Sequence, residues 1–323
     1  MNRILVTGGS GFIGSQVVKN LSKEGYELFV VDRKINPWTY TYVNKDHIHE
    51  GDYLEAFQLD HFKFDTIIHL ASDILVSGGE INPSQYYENN VTKFKEMLDL
   101  MQTRNVKNIL FSSSGSIYGN QSKGKYLTED LFYDPQCTYA STKVAGELLI
   151  KDYSRTHDFK YVIFRYFNAA GADPECEFGY IQNPATHIIP IICNKINKHS
   201  PVMIYGNDYP TVDGTCVRDY VHISDIADAH KQALLYLESG GKSDVFNIGG
   251  SDTVCSVKQL TNNVYNMLNR KSDIIYSERR PGDVAELVAN IDKIKTVLNW
   301  APKYNIEDII QHAWNWELKY HGV

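Results

Sequence analysis

From residue 3 to about residue 166, short apolar runs rich in β-branched residues alternate with stretches of helical period. Arg3–Thr7, Glu27–Asp32, Lys160–Tyr166 and residues 66–71 and 108–112 read as strands buried on both faces, because such strands lose the alternation of a half-exposed one. Residues 47–52 read as a shorter strand. Between them fall helical patterns from the glycines at 8–14 to about Ser22, from about 83 to 102, and through 139–143. Strands alternating with helices specify an α/β fold with a doubly wound parallel sheet. After Tyr166 the rhythm changes to glycines, prolines and short irregular pieces, with helical patterns near 186–198, 225–238, 257–269 and 305–319. The chain is therefore expected to form a parallel-sheet region over 1–166 and a smaller α/β region over 167–323, with crossings between them allowed. No internal repeat or low-complexity tract is visible.

Composition narrows the classes. The 323 residues, 43% hydrophobic and 22% charged, are those of a folded globular chain. No apolar run approaches the length that crosses a bilayer. The apolar run after Arg3 is three residues long before it meets polar residues and glycines, so it reads as a strand and not an export signal. A net charge of −7 argues against a nucleic-acid-coating surface, while leaving small anionic ligands to local arginines. The five cysteines are widely spaced with no C-x-x-C pair, and the 11 histidines show no ligand spacing. Neither a metal site nor a disulfide framework is expected, and a reducing cytoplasm fits best.

The chemistry begins at Gly8-Gly9-Ser10-Gly11-Phe12-Ile13-Gly14. Gly9, Gly11 and Gly14 form a G-x-G-x-x-G between a strand and a helix, the context a dinucleotide fingerprint requires. The helix N-terminus offers free N–H groups and partial positive charge to a pyrophosphate. Asp32 ends the second strand, where a carboxylate accepts from ribose hydroxyls and repels a 2′-phosphate; NAD is favoured over NADP, with Arg33 as the counterargument. Asp52 either borders the adenine with Tyr53 or caps a helix from Leu54. His69 reads as a core histidine. Tyr139 and Lys143 lie four apart on one helical face, where an ammonium beside a phenol favours the phenolate and would hold the tyrosine below its usual pKa of about 10. The hydroxyls of Ser112-Ser-Ser114 end the fifth strand toward the same crevice.

With these motifs, Arg165-Tyr-Phe-Asn168, residues 206–222 and Arg279-Arg-Pro-Gly-Asp283, the chain resembles the extended short-chain dehydrogenase/reductase family acting on nucleotide sugars, along essentially its whole length. The resemblance implies tightly held NAD and reversible oxidation at C4 of a UDP-hexose, interconverting UDP-glucose and UDP-galactose. It implies Tyr139 as base, Lys143 as its partner and holder of the nicotinamide ribose, and Ser114 as second hydroxyl. For the cofactor it implies Phe12 and Ile13 at the pyrophosphate turn, Asp32, Asp52 and Tyr53 at the adenosine end, and Leu70, Ala71, Ser72, Asp73, Ile74, Asn89 and Phe167 near the nicotinamide half. For the substrate it implies Asn168, Arg218 and Arg280 on the diphosphate, Asp283 on the uridine ribose, and His187, Ile188, Met203 and Tyr205 lining the uridine site.

Three departures from the family pattern stand out. The loop after Asp32 is short and aromatic (residues 38–42), Ile74 replaces a lysine common in relatives, and Leu287 replaces a bulky tyrosine beside the sugar. The leucine leaves room near C2, so N-acetylated hexosamines are expected to fit. The dehydratase chemistry of the same family needs carboxylates where this chain has Ser114-Gly-Ser116. C4 inversion of UDP-glucuronate or UDP-xylose stays open, as does an NAD-binding protein without turnover. The resemblance further implies a homodimer through helices near 83–102 and 138–156.

Overall fold

The computed structural model describes residues 3–122, 124–271, 273–280 and 282–321, so Pro281 of the 279–283 motif lies outside the described residues. Six strands of the central sheet fall where the apolar runs predict: β1 (Arg3–Thr7), β2 (Glu27–Asp32), β3 (Ile48–Glu50), β4 (Thr66–His69), β5 (Asn108–Ser114) and β6 (Lys160–Tyr166). Their alternate residues enter two separate apolar layers. Ile4, Val6, Val30, Ile68, Leu110 and Phe164 pack on one side, and Leu5, Phe29, Val31, Ile67, Ile109 and Ile163 on the other. Both faces are covered, which is why the strands read as unbroken apolar runs.

After β6 the chain makes β7 (Asn168–Ala170), β8 (Val202–Tyr205) and β9 (Val217–His222) of the smaller region, then returns to the central sheet as β10 (Asp244–Ile248). The spatial order is β10-β6-β5-β4-β1-β2-β3, all parallel. Strand order reverses at β1, so the crevice for a ligand opens beyond the carboxyl ends of β1 and β4. The smaller region holds two further sheets. In one, β9 pairs with β7, β11 (Val254–Ser256) and β13 (Glu286–Leu287); in the other, β8 pairs with β12 (Ile274–Ser277). Its core joins Ile189, Ile192, Val202, Leu260, Val264, Ile309 and Ile310.

Eleven helices are described, of which α1 (Phe12–Lys23), α2 (Thr39–Tyr42) and α3 (Val76–Ile81) come first. The helix expected over 83–102 is interrupted. It runs as α4 (Pro83–Tyr87), a π-helical turn at Glu88–Thr92, and α5 (Lys93–Thr103). The extra residue of a π-turn re-aims side chains. Here Asn89 and Asn90 both reach Asp73, beyond β4, with Asn89 Nδ2 donating to its carboxylate at 2.6 Å and Asn90 Nδ2 to its carbonyl at 2.9 Å. Next comes α6 (Thr138–Thr156), which carries the tyrosine and lysine. The later helices are α7 (Ile188–Asn197), α8 (Ile223–Glu238), α9 (Val257–Met267), α10 (Asp292–Leu298) and α11 (Ile306–His321).

Candidate active site

One cavity of about 1570 Å³ runs from the glycine turn to β13. On one flank, Gly8 (φ +70°) closes the turn after β1, and a Cβ there would lie 2.8 Å from the Ala71 nitrogen. A Cβ on Gly14 would lie 2.1 Å from the Gly8 carbonyl oxygen. Gly11 is the N-cap of α1; no side chain caps that helix and no acid sits in its first turn, so N–H groups and positive potential face the cavity. Asp32 accepts from the Ser10 N–H at 3.1 Å while opening on the same space. Burial pushes its carboxyl above the usual range, opposed by the N–H groups of Lys34, Ser10 and Arg33. A glycine cradle, an uncapped helix and an acid at the second strand end fit a dinucleotide.

Arg33 is turned to the Asp73 carboxylate at 3.1 Å, so its guanidinium already faces a negative partner. Asp52 caps the turn at Tyr53–Phe57 by accepting from the Leu54 N–H at 3.0 Å, as the capping expectation has it, and it also pairs with Lys93 at 2.6 Å and borders the cavity. The aromatic loop at 38–42 does not line the cavity. Trp38 packs on Phe178 and Trp316 instead, and Tyr42 donates to Glu177. His69 is buried, stacked on Phe94 and bonded to Thr7 at 2.8 Å; burial drives its pKa down to about 3.

At the centre lie Ser114, Tyr139 and Lys143. The helix spacing brings the lysine ammonium 5.8 Å from the tyrosine ring centre, but it donates to the Ser112 carbonyl at 2.8 Å. The expected depressed phenol is not found in the protein alone. Burial pushes Tyr139 up to about 12, with only the Ser114 hydroxyl bond drawing it back, and burial brings Lys143 down to about 7. A lysine that near neutrality carries only part of its charge, so spacing on a helix overstated what the pair does by itself.

On the far flank, Asn168 at the head of β7 donates to the Asp219 carbonyl at 3.2 Å. Arg218 is held by the carbonyls of Val217 and Val284, both at 2.9 Å, with Asp283 at 3.6 Å. Arg280 stacks 3.9 Å over the Tyr205 ring. His187, at the N-cap of α7, packs on Tyr180 and Phe12, and burial lowers its pKa to about 4. Ile188, Met203 and Leu287 complete that wall, and Leu70, Ala71, Ser72, Ile74, Asn89, Tyr53 and Phe167 line the middle. Two of the residues expected at the site stay off the cavity wall. Gly9 is packed under Val6 and Val30, and Lys143 sits behind Tyr139. Asn90 and Ser116 were not foreseen. Ser116 donates to Ser114 Oγ at 2.9 Å, and only its place two residues after Ser114 signalled it.

A doubly wound sheet with a dinucleotide turn, a buried serine–tyrosine–lysine set and arginines across one cavity define a nucleotide-dependent enzyme of the Rossmann class. The chain belongs to the NAD dependent epimerase/dehydratase family, whose model matches residues 4–249. It is similar to the UDP-glucose 4-epimerase of Rhizobium meliloti (strain 1021), with 37% identity covering 98% of this chain and 98% of the relative. Among solved structures it resembles UDP-glucose 4-epimerase from Brucella ovis in complex with NAD, at a TM-score of 0.89 and 31% identity over 97% of this chain and 98% of that one. It also resembles the UDP-Glc/GlcNAc 4-epimerase from Campylobacter jejuni, at a TM-score of 0.82 and 31% identity over 99% and 100% of the two chains.

Proposed function

We propose that this chain interconverts UDP-glucose and UDP-galactose by reversible hydride transfer at C4 of the sugar, with NAD as cofactor. One observation carries the reading: Ser114 and Tyr139 lie in a single cavity between the uncapped glycine turn and the Arg218–Arg280 flank. A hexose linked to a diphosphate on those arginines is thereby set against the phenol. NAD, held by the Gly8–Gly14 turn and Asp32, would supply the hydride acceptor and donor and a positive charge that favours a phenolate. The Tyr139 oxygen takes the proton of the 4-hydroxyl as the C4 hydrogen leaves, and returns it after the 4-keto sugar presents its other face. Ser114, fixed by Ser116, donates to the oxygen that gains charge. Lys143 supports the phenolate from behind, and Arg218 and Arg280 offer planar donors to the diphosphate. Asn168 joins them on the diphosphate, and Asp283, His187, Ile188, Met203 and Tyr205 hold the uridine end.

Gly115 stands where dehydration needs a carboxylate, and a side chain there would have to displace the Phe167 ring, 3.1 Å from its Cβ. Leu287 favours a wider substrate range, including UDP-N-acetylglucosamine, because it is packed in a small cluster with Tyr118 and Phe167 and leaves the cavity open beside it. Incubation with UDP-glucose and UDP-N-acetylglucosamine in parallel, with the epimers separated, tests both readings. Turnover of neither would sink the first, and turnover of UDP-glucose alone would sink the second; UDP-glucuronate and UDP-xylose serve as comparators. We further propose a homodimer in a reducing cytoplasm. All five cysteines are free, and Tyr87 on α4 and Leu148 on α6 expose apolar surface on the two expected helices. Sedimentation of the wild type against Leu148→Glu checks the dimer.

A further inference from the structure

Three consecutive serines at the end of β5 meet three residues spaced one turn apart on α6. Ser114 bonds Tyr139, the Ser112 carbonyl accepts from Lys143, and Ser113 Oγ donates to Glu147 Oε1 at 2.5 Å. All three serines and Tyr139 border the cavity, whereas Lys143 and Glu147 lie behind its wall. Glu147 is fully buried behind them, and its carboxylate is forked by Arg165 of β6, with Nε at 3.0 Å and Nη2 at 2.8 Å, and accepts from the Tyr133 hydroxyl at 2.9 Å. Arg165 in turn donates to Tyr118, whose hydroxyl donates to Asn247 of β10, both at 2.7 Å. The network therefore ties α6 to β5, β6 and β10 at once. Burial alone would push the Glu147 carboxyl up, yet Arg165 and Ser113 hold it below its usual range, so the site is built around a carboxylate.

We infer that Glu147, clamped by Arg165, is a positioning residue that sets the rotation and axial register of α6, and through it the approach of Tyr139 to Ser114 and of Lys143 to Ser112. A side chain at i+8 from the tyrosine is too far to touch substrate, but it lies on the same helical stripe. A slip of this stripe moves the phenol and the ammonium together. Around the phenol the other titratable groups are Tyr86, Cys137 and Tyr166, none of them a cation, so among the described residues nothing else takes over for a lost Ser114 or Lys143.

The inference rests on the proposed epimerisation, and the experiment separates the two. Purified holoenzyme is assayed with UDP-galactose for kcat, KM and the pH dependence of kcat, and the amide exchange of residues 138–147 is followed in parallel. Glu147→Gln is expected to lower kcat by about 10²-fold, the cost of a displaced reacting group, with KM within about twofold. The rising limb of kcat against pH moves to higher pH, and exchange at 138–143 quickens. Ser113→Ala, which keeps the Glu147–Arg165 pair, shifts the same readouts by less and covers the case in which Glu147→Gln fails to fold. Wild-type kcat, pH profile and exchange in Ser113→Ala, or a Glu147→Gln enzyme that only melts earlier, would overturn the inference. A wild type inactive on both UDP-hexoses would defeat the functional reading instead, and the exchange at 138–143 would then decide the positioning role by itself.

Discussion

On the cofactor flank of the cavity the ligand-facing groups are mostly backbone at the ends of regular elements: the turn after β1, the open first turn of α1 and the carboxyl end of β2. On the substrate flank they are side chains on short strands and loops, with Arg218 braced by three carbonyls and Arg280 laid on Tyr205. Backbone groups are placed by the sheet itself and tolerate little variation in the glycines. Side chains are placed by their immediate neighbours, so a substitution on the substrate flank can alter substrate choice while the cofactor side stays as it is. The catalytic pair sits on α6 between the two, dependent on neither for its register.

If that division holds, the largest effect comes from the residue that belongs to neither flank. Tyr139→Phe should reduce kcat by about 10²–10⁴-fold, the usual worth of a general base, while leaving NAD content and UDP affinity unchanged. Calorimetric titration with UDP beside the assay checks this, and a phenylalanine enzyme at full turnover would refute the mechanism. Next come changes confined to one flank. Arg218→Ala should lower kcat/KM by about 10–10²-fold, as expected for a charged hydrogen-bond donor, without loss of NAD. Gly11→Ala is its mirror. Its Cβ would meet only the Gly8 oxygen at 3.2 Å, so the fold survives, but the methyl enters the space before α1 and NAD occupancy should fall. If each substitution damaged both ligands equally, the two flanks would not be separable.

A smaller effect is expected where only shape changes. Leu287→Tyr should cut turnover of UDP-N-acetylglucosamine by about 10-fold or more, within the range that a pocket wall can discriminate, and spare UDP-glucose. Competition between the two sugars in one reaction measures the ratio directly. An unchanged ratio would remove Leu287 from the specificity argument.

Much of the cofactor flank was legible because its signals are periodic and local. The strands carry apolar residues on both faces, and the glycines have a fixed spacing. What was hidden depends on distant or three-dimensional facts. The strand Asp244–Ile248 joins the main sheet only by pairing with Lys160–Tyr166, across a long excursion through the smaller region. The π-turn at Glu88–Thr92 holds four weak helix formers (Asn89, Asn90, Val91 and Thr92), but such residues also sit inside regular helices, so composition alone does not announce that Asn89 and Asn90 both swing to Asp73. The i, i+4 spacing of Tyr139 and Lys143 correctly placed them together but could not report their burial, and burial is what raises the phenol and lowers the ammonium.

Two aspartates carry the comparison into pH dependence. Asp32 accepts backbone N–H groups yet stays open to the cavity, whereas Asp219 of β9 is sealed, accepting from the N–H of Gly250 at 2.6 Å and of Ala289 at 3.1 Å. Burial raises Asp219 to about 7 despite those bonds. An unfolded aspartate titrates near 3.9, so between about 4 and 7 the folded chain keeps a proton that the unfolded chain has released. The stability this confers is complete below about 4 and is lost as pH rises through 7. Asp225 and Glu317, raised to about 6 and about 7, act in the same direction, while His69, His187, His222 and His230, all lowered by burial, act in the opposite one. Asp219→Asn removes one contribution and leaves the rest. Between pH 5 and pH 8 the wild type should therefore lose more melting temperature than the asparagine variant, by on the order of a few degrees. Equal losses would mean that Asp219 is ionised throughout, held so by the loop at Gly250 that it anchors beside Arg218.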